Sequence, residues 1–292
     1  MKHAYLIIAN RNPQQLQWLI NAIDDSRNDI FLMIDNKSNI KNCKFTATYS
    51  TLIIVESINI YWGDYSLVDA ELRLLKSSIK GEYAYYHFLS GLDLPLVNQD
   101  KIHDFFDSVP NHEFLTYSAA IDQKLINQRV KRHLFNKHFR PSGSLNRIYR
   151  KIEKHILELV PEKDYSSVLG FASNWATIDN DLASILISSE QEISSMFNHG
   201  YLVDELFIPS IININSEIKK KVYYSEPVKD SPNEFQGNLR YINWWDGSPY
   251  TWRYKDYYQL DQARKMGHLF SRKFDITIDR KIVDKILKDV LN

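Results

Sequence analysis

Cysteine is almost absent from this chain. Cys43 is the only one, so no disulfide can form within it, which points to a reducing compartment or to indifference to redox state. Net charge is absent too: 36 Lys and Arg balance 36 Asp and Glu, and no global field recruits nucleic acid. No apolar run approaches the roughly 18 residues of a membrane span. The apolar stretch in MKHAYLIIANRNP is too short for a secretory signal followed by a cleavage site. Together these absences predict a soluble, cytoplasmic protein, most simply a bacterial one. Several catalytic signatures are also missing. There is no GxGxxG and no Walker loop, so neither a dinucleotide fingerprint nor a P-loop is present. There is no HExxH, no Cys–His cluster for zinc and no GxSxG elbow. The nine His are scattered, which reads as structural. The one Asp-x-Asp triplet, Asp179-Asn180-Asp181, could hold a divalent metal against a diphosphate. It opens an apparent helix, where acids cap and complement the dipole, and capping is the preferred reading.

Aromatic residues are plentiful instead, at 13% with 18 Tyr. They fill cores and rims in any globule, and their flat faces also suit sugar and base stacking. Apolar runs predict strands at Ala4–Ala9, Ile30–Ile34, Leu52–Val55 and Tyr85–Leu89. Between them, Asn12-Pro13 opens a helix with Leu16, Leu19, Ile20 and Ile23 at helical spacing. A second helix is expected to start with Ser66 as N-cap and Asp69 three residues on, burying Val68, Leu72, Leu75 and Ile79. The order β-α-β-β-α-β predicts a mostly parallel, twisted sheet with helices on both faces. Asp35 and Asp93 would then end strands at one crevice, where α/β proteins bind ligands. Asp35 also suits a capping acid at a strand end. After Val168, helices are expected at Asp181–Ser188 and Ile282–Leu291, and strands at Val222–Tyr224 and Leu239–Trp244.

Residues 119–165 differ from the rest. The stretch QKLINQRVKRHLFNKHFRPSGSLNRIYRKIEKH carries about ten Lys and Arg and almost no acid. It reads as a basic helical insertion, either a solvated face or a contact to anionic lipid or an anionic acceptor through residues 124–154. Nucleic acid is disfavoured, because basic and aromatic residues do not interleave as a stacking groove requires.

Eight segments, in one order, carry a family likeness: HAYLIIANRNPQQLQWLINAI, IFLMIDNKS, WGDYSLVDAELRLLKSSI, YYHFLSGLDLPL, SNWATI, VDELFIPSII, LRYINWWDGSPYTW and HLFSRKFDITID. In them the chain resembles the core 2/I-branching β-1,6-N-acetylglucosaminyltransferases and the related peptide O-xylosyltransferases, family 14 of the glycosyltransferases. The likeness spans almost the whole chain except the basic stretch. It implies a GT-A-like single domain: a nucleotide-sugar half at 1–118, the basic insertion at 119–165, and an acceptor and catalytic half at 166–292. It implies an inverting transfer, GlcNAc being the first expectation, from a UDP-sugar to a hydroxyl of a glycan or lipid-linked saccharide. UDP-xylose or UDP-glucose donors, or a non-catalytic glycan- or nucleotide-binding relative, are the alternatives. Eukaryotic members carry an anchor and luminal disulfides, from which this sequence departs. A bacterial relative that builds capsule or another glycan is the expectation.

The resemblance also assigns residues. The family's base is the Glu of a Asp-Glu pair, here Glu205 in YLVDELFIPS. Its apolar flanks could raise its pKa, and the same position suits a helix-start acid. The departing diphosphate is met by basic side chains and no metal or other cofactor. Lys273 in SRKFD matches the family's C-terminal lysine, with Arg253 the nearest arginine and Arg240 and Arg272 open. Asp93 in the G-x-D-x-P stretch lies where other GT-A enzymes carry metal-binding acids and would sit over the donor. Asp35 matches the acid that reads uridine. Trp244 and Trp175 match the acceptor side.

Overall fold

The computed structural model describes residues 1–118, 123–131, 148, 151–152, 155–156, 165, 167–247 and 249–291. Most of the basic stretch, with its expected insertion and lipid contact, lies outside the described residues. Strand β1 (His3–Ala9) is buried almost throughout and runs up the middle of a five-stranded sheet. Helix α1 (Pro13–Ile23) follows, with Pro13 at the start of the helix, where a missing N–H costs nothing. Then come β2 (Asn28–Ile34), β3 (Thr51–Val55), α2 (Ser66–Ser78) and β4 (Tyr85–Ser90). Strands β1, β2, β3 and β4 are mutually parallel, in the order β3-β2-β1-β4. The register sets His3 beside Asn28 and Tyr85, and Ala9 beside Ile34. The β-α-β-β-α-β reading therefore holds.

A short turn leads from β4 into β5 (Asp93–Pro95), then α3 (Gln99–Ser108) and α4 (Gln123–Val130). Strand β6 (Thr177–Asp179) adds antiparallel to β4, so the main sheet is mixed at this edge. Helices α5 (Asn180–Ser188), α6 (Glu190–Phe197), α7 (Phe207–Ile214) and α8 (Ser216–Lys220) follow, with a single 3-10 turn at Val203–Glu205 before α7. Strand β7 (Arg240–Ile242), α9 (Tyr257–Lys265), β8 (Phe270–Arg272) and α10 (Arg280–Leu291) complete the order. A second sheet of three short strands runs β5-β8-β7. The two halves thus share both sheets: β6 joins the first from the later half, and β5 joins the second from the earlier half.

Alternation along β1 feeds two cores, as a period of two requires. Ala4 and Leu6 pack with Val68, Leu72 and Leu75 of α2 on one face. Tyr5 and Ile7 pack with Leu16, Leu19, Ile20 and Ile23 of α1 and with α10 on the other. Each fully buried Leu or Ile contributes roughly 1.5–3 kcal/mol, so these two stripes hold the helices to the sheet.

Local details differ from the sequence reading. Ser66 is the first residue of α2 rather than its N-cap. The N-cap is Tyr65, which makes no side-chain cap bond; the Ser66 hydroxyl accepts from Tyr61 N (2.9 Å), and Asp64 Oδ1 accepts from Ser66 N (2.9 Å). Val222–Tyr224 is not a strand: Val222 makes one bridge to Glu113, because no partner strand runs beside it. Asp179 does cap α5, its Oδ1 accepting from Leu182 N at 2.9 Å, and Lys221 spans Asp179 and Asp181. The scattered histidines are partly gathered. His3, His87 and His103 lie buried together, His87 Nε2 being 3.1 Å from His3 Nδ1 and His3 stacking on His103. Burial holds all three below the usual imidazole pKa, hence neutral. They fill the core beneath the amino-terminal part of β1, away from its carboxyl end.

Candidate active site

The strand order reverses direction between β1 and β4, since β2 and β3 lie to one side of β1 and β4 to the other. That makes the carboxyl ends of β1 and β4 the switch point, the usual ligand crevice of an open α/β sheet. From β1 comes Asn10-Arg11-Asn12, with Asn12 in the left-handed region. From β4 comes Ser90-Gly91-Leu92, where Gly91 N donates to Ile8 O (3.1 Å) and a Cβ on Gly91 would meet Ala9 at 3.1 Å. A side chain at this position would crowd Ala9, so glycine eases the approach of the two loops.

The segment after β8 lies over this point. Phe274 N donates to Leu92 O (2.9 Å), and Gln15 Nε2 donates to Phe274 O (3.0 Å). Asn12 Nδ2 donates to Asp275 Oδ1 (3.0 Å), and Arg11 lies 3.6 Å from the same carboxylate. Lys273 is thereby set among cations. Its pKa is pushed down by burial first, then by Arg11 and Arg272, with Asp275 opposing. No carboxylate among the described residues forms an ion pair with Lys273. The peptide bond Arg272–Lys273 is cis.

Arg272, the residue before Lys273, is tied down on several sides. It donates from Nη1 to Ser90 Oγ (2.7 Å) and Asp93 Oδ1 (3.0 Å). Its guanidinium lies 3.9 Å from the centroid of the Trp175 ring, a cation–π contact. Arg253 comes beside this pair through the preceding residue: Trp252 N donates to Lys273 O and Trp252 Nε1 to Arg272 O, both at 2.9 Å, and Arg253 follows. It is exposed, opens the turn before α9, and its backbone N donates to Asp256 Oδ2. Arg240 is consumed in the core, where its Nη2 donates to Phe88 O and Ala176 O, and burial lowers its pKa to about 9.

Asp93 is placed differently from the sequence reading, which had it over the donor. It is buried, with Oδ2 accepting from Ser90 N (2.6 Å) and Oδ1 from Ser90 Oγ (3.1 Å) and Arg272. The turn SGLD folds its own acid inward, so Asp93 acts by fixing Arg272. Removing one partner of a buried ion pair leaves an uncompensated charge. Asp93→Asn is therefore expected to lower unfolding stability by roughly 3–5 kcal/mol, measured by urea titration. A loss below about 1 kcal/mol, the range of exposed pairs, would refute the buried-pair account.

Asp35 follows β2. Its Oδ1 accepts from Lys37 N (3.0 Å) and Ile60 N (3.2 Å), and both oxygens accept from Lys37 Nζ. Lys37 Nζ also donates to Ile60 O and lies 4.4 Å from the Tyr61 ring centroid. Asp35 thus ties the β2 loop to the segment before α2. Two residues further, Gly63 O accepts from Leu202 N (2.8 Å).

Leu202 leads into the 3-10 turn that ends in Glu205. Glu205 is half-buried, and Arg129 Nη1 donates to its Oε2 at 2.5 Å. Burial raises the Glu205 pKa, and Arg129 pulls it back. Asp204 is buried beside it, and burial followed by the Glu205 charge raises its pKa to about 7. The Glu205 carbonyl accepts from Ala172 N (3.0 Å), and the chain from Ala172 runs directly to Trp175, under Arg272. Ser38 Oγ donates to Asn10 O (2.7 Å). These contacts link a circuit of residues, the rim: Asn10 and Arg11, then Asp35, Ile60, Gly63, Leu202 and Glu205, then Ala172, Trp175, Arg272 and Lys273. Of the sequence-predicted residues, Asp35, Glu205, Trp175 and Lys273 are on it, with Asp93 beneath. Trp244 is half-buried just after β7, and Arg253 is exposed, one residue past Trp252, whose N donates to Lys273 O. Sequence reasoning missed Arg11 and Arg129. Arg11 had one local signal, its place immediately past the first strand. Among the described residues no group of three or more His, Cys, Asp and Glu is placed to hold a metal, and no helix is long and apolar enough to cross a membrane.

An α/β sheet with cations at its switch point and a carboxylate across the rim suits transfer from an anionic donor. Residues 3–266 match the family of Core-2/I-Branching enzymes, and the chain belongs to that family of glycosyltransferases. It is 20% identical over 299 aligned positions to a xylosyltransferase of Ciona intestinalis, covering 96% of this chain and 33% of the relative. The chain thus spans about a third of that protein's length. Among solved structures it is similar to apo mouse xyloside xylosyltransferase 1, with 13% identity, TM-score 0.36 and coverage of 92% and 96% of the two chains. It is also similar to S. aureus TarS 1–349 in complex with UDP-GlcNAc, with 12% identity, TM-score 0.33 and coverage of 73% and 54%.

Proposed function

We propose that this enzyme moves a sugar, with inversion, from a UDP-sugar to a hydroxyl of a glycan or lipid-linked saccharide. The observation that carries this is the rim: a half-buried Glu205 on one side and Lys273, Arg272 and Arg11 at the switch point on the other. In this reading the five-stranded sheet is the nucleotide-sugar half of a single GT-A-like domain. Glu205 takes the proton from the acceptor hydroxyl, and that oxygen attacks the anomeric carbon from the face opposite the diphosphate. The bond from carbon to the diphosphate oxygen breaks, and its electron pair leaves with UDP. Preorganised charge facing that departure is worth most in a site shielded from water. Lys273 supplies a compact positive charge, and Arg272 is held rigid by Asp93 and Trp175 to present its fork. In this reading Asp35, at the end of β2, reads the uridine, and Trp175 and Trp244 serve the acceptor side, as the resemblance implies.

GlcNAc is the favoured sugar, and the name of the Ciona relative keeps xylose beside it. An acetamido or hydroxymethyl group changes a pocket too little for this rim to choose between them. The lone, exposed Cys43 suits a reducing compartment, and we place the enzyme in the cytoplasm, in polysaccharide or glycoconjugate synthesis. The charge on the diphosphate is met by side chains, so turnover is expected to be independent of added metal. UDP release should be followed with UDP-GlcNAc, UDP-xylose and UDP-glucose, each in EDTA and in Mn²⁺. One donor should turn over at the same rate in both. A strict need for Mn²⁺ would overturn the basic-cluster mechanism.

A further inference from the structure

One rim segment has no role in the transfer so far described: Tyr61-Trp62-Gly63. Trp62 is the most exposed tryptophan among the described residues, at 62%. A bare indole in water is ordinary when it hangs on a free loop. This loop is held on both sides. Ile60 N donates to Asp35 and Ile60 O accepts from Lys37, while Gly63 O accepts from Leu202 N. Tyr201 meets Trp62 edge to face, the ring centroids 5.9 Å apart and the planes at 81°. Gly63 has φ +76, and a Cβ there would lie 2.6 Å from Tyr201 Cε2. Only glycine allows both that backbone and the approach of the tyrosine. The local sequence is thus built to fix an exposed indole.

Its neighbours indicate what it faces. Tyr61, the preceding residue, lies under Lys37 on the Asp35 side. Trp62 lies on the side of Tyr201 and Leu202, three residues before Glu205 in the chain. Carbohydrate rings present one apolar C–H face, and a fixed indole is the matching surface, with a large contact area and little entropy to lose. We infer that Trp62, backed by Tyr201, is a saccharide-stacking subsite that holds the acceptor pyranose whose hydroxyl faces Glu205. The inference rests on the transferase reading for the role of Glu205, but not for the binding of the sugar itself.

The test uses the full chain, wild type, Trp62→Ala and Trp62→Phe, with the methyl β-glycosides of GlcNAc, galactose and xylose as probes. Saturation-transfer NMR measures glycoside binding, and calorimetry measures UDP binding separately. At least one glycoside should bind the wild type and receive saturation on one ring face. Its affinity should fall about 3- to 10-fold in Trp62→Ala, the size of one aromatic contact, and largely survive in Trp62→Phe. UDP affinity should be the same in all three proteins. Equal glycoside binding by wild type and Trp62→Ala overturns the subsite, as does binding of none of the three to the wild type. A parallel loss of UDP affinity overturns it too, since the indole would then stack the nucleoside. Glycoside binding that depends on Trp62 in a protein that does not bind UDP would sustain the subsite and defeat the UDP-sugar reading.

Discussion

Glu205→Gln is expected to keep the fold and to slow transfer by about 10²–10⁴, the usual worth of a positioned base. Glutamine keeps the shape of the side chain and its contact to Arg129 but cannot take a proton. Both Arg129 and Glu205 side chains are about a quarter exposed, so water eases the lone guanidinium and the folded state should survive. UDP release in the presence of acceptor measures the loss, and circular dichroism checks the fold. Transfer at the wild-type rate would remove Glu205 as the base. The pH profile gives a second reading of the same group. A base works only when ionised, so activity falls as pH falls through its pKa. Arg129 lowers that pKa, against the upward push of burial. Arg129→Gln should therefore raise it and move the acid limb of the profile to higher pH. A limb that stays in place would mean that another group titrates there. Asp204 does not compete for the role: burial and the Glu205 charge raise it to about 7, and it lies behind the turn, buried.

The first hundred residues were legible because each strand there is a buried apolar run and each helix carries one stripe. Leu16, Leu19, Ile20 and Ile23 are all fully buried where the spacing put them. Pairing of distant, short pieces was not legible. Strands β5, β7 and β8 have three residues each, too few for a period of two to register. The stretch Val222–Tyr224 has strand-like composition, yet strands need a neighbour, and only Glu113 offers one bridge. Ser66 looked like a cap because serine is a good one, but its hydroxyl went to Tyr61 N, and the N-cap, Tyr65, has no side-chain cap bond. The site divides the same way. Glu205, Lys273 and Asp35 were found through segments that resemble a family. The partner of Asp93 lies 179 positions away, and no local signal gives that pairing. Asp93 was visible as an acid in a tight turn, but its direction depended on Arg272. Arg11 and Trp62 are single residues at loop positions, where spacing carries no information and only the rim gives them a place.

Lys273→Met should lower transfer by about 10²–10³, the cost of removing one preorganised partner of developing negative charge. Arg11, Arg272 and Lys273 lie close enough to act on one another's charge. Asp93 is committed to Arg272, and Asp275 is shared between Asn12, Arg11 and Thr277. Lys273 is left depressed in pKa by burial and by like charge, which an arriving diphosphate would relieve. The ammonium thus gains most when negative charge grows on the leaving oxygen, so its loss should fall mainly on kcat. Methionine keeps the length and apolar stem, so the packing of the loop over Leu92 is preserved. Arg11→Met should cost less, about tenfold, because Arg11 is half exposed and tied to Asp275. Lys273→Arg should recover part of the rate, since the charge returns on a wider, planar head. The measurement is kcat and KM for the donor in EDTA, across the three variants. A Lys273→Met enzyme within about threefold of wild type would mean that the diphosphate leaves elsewhere on the rim, and that the cations over the switch point serve the fold alone.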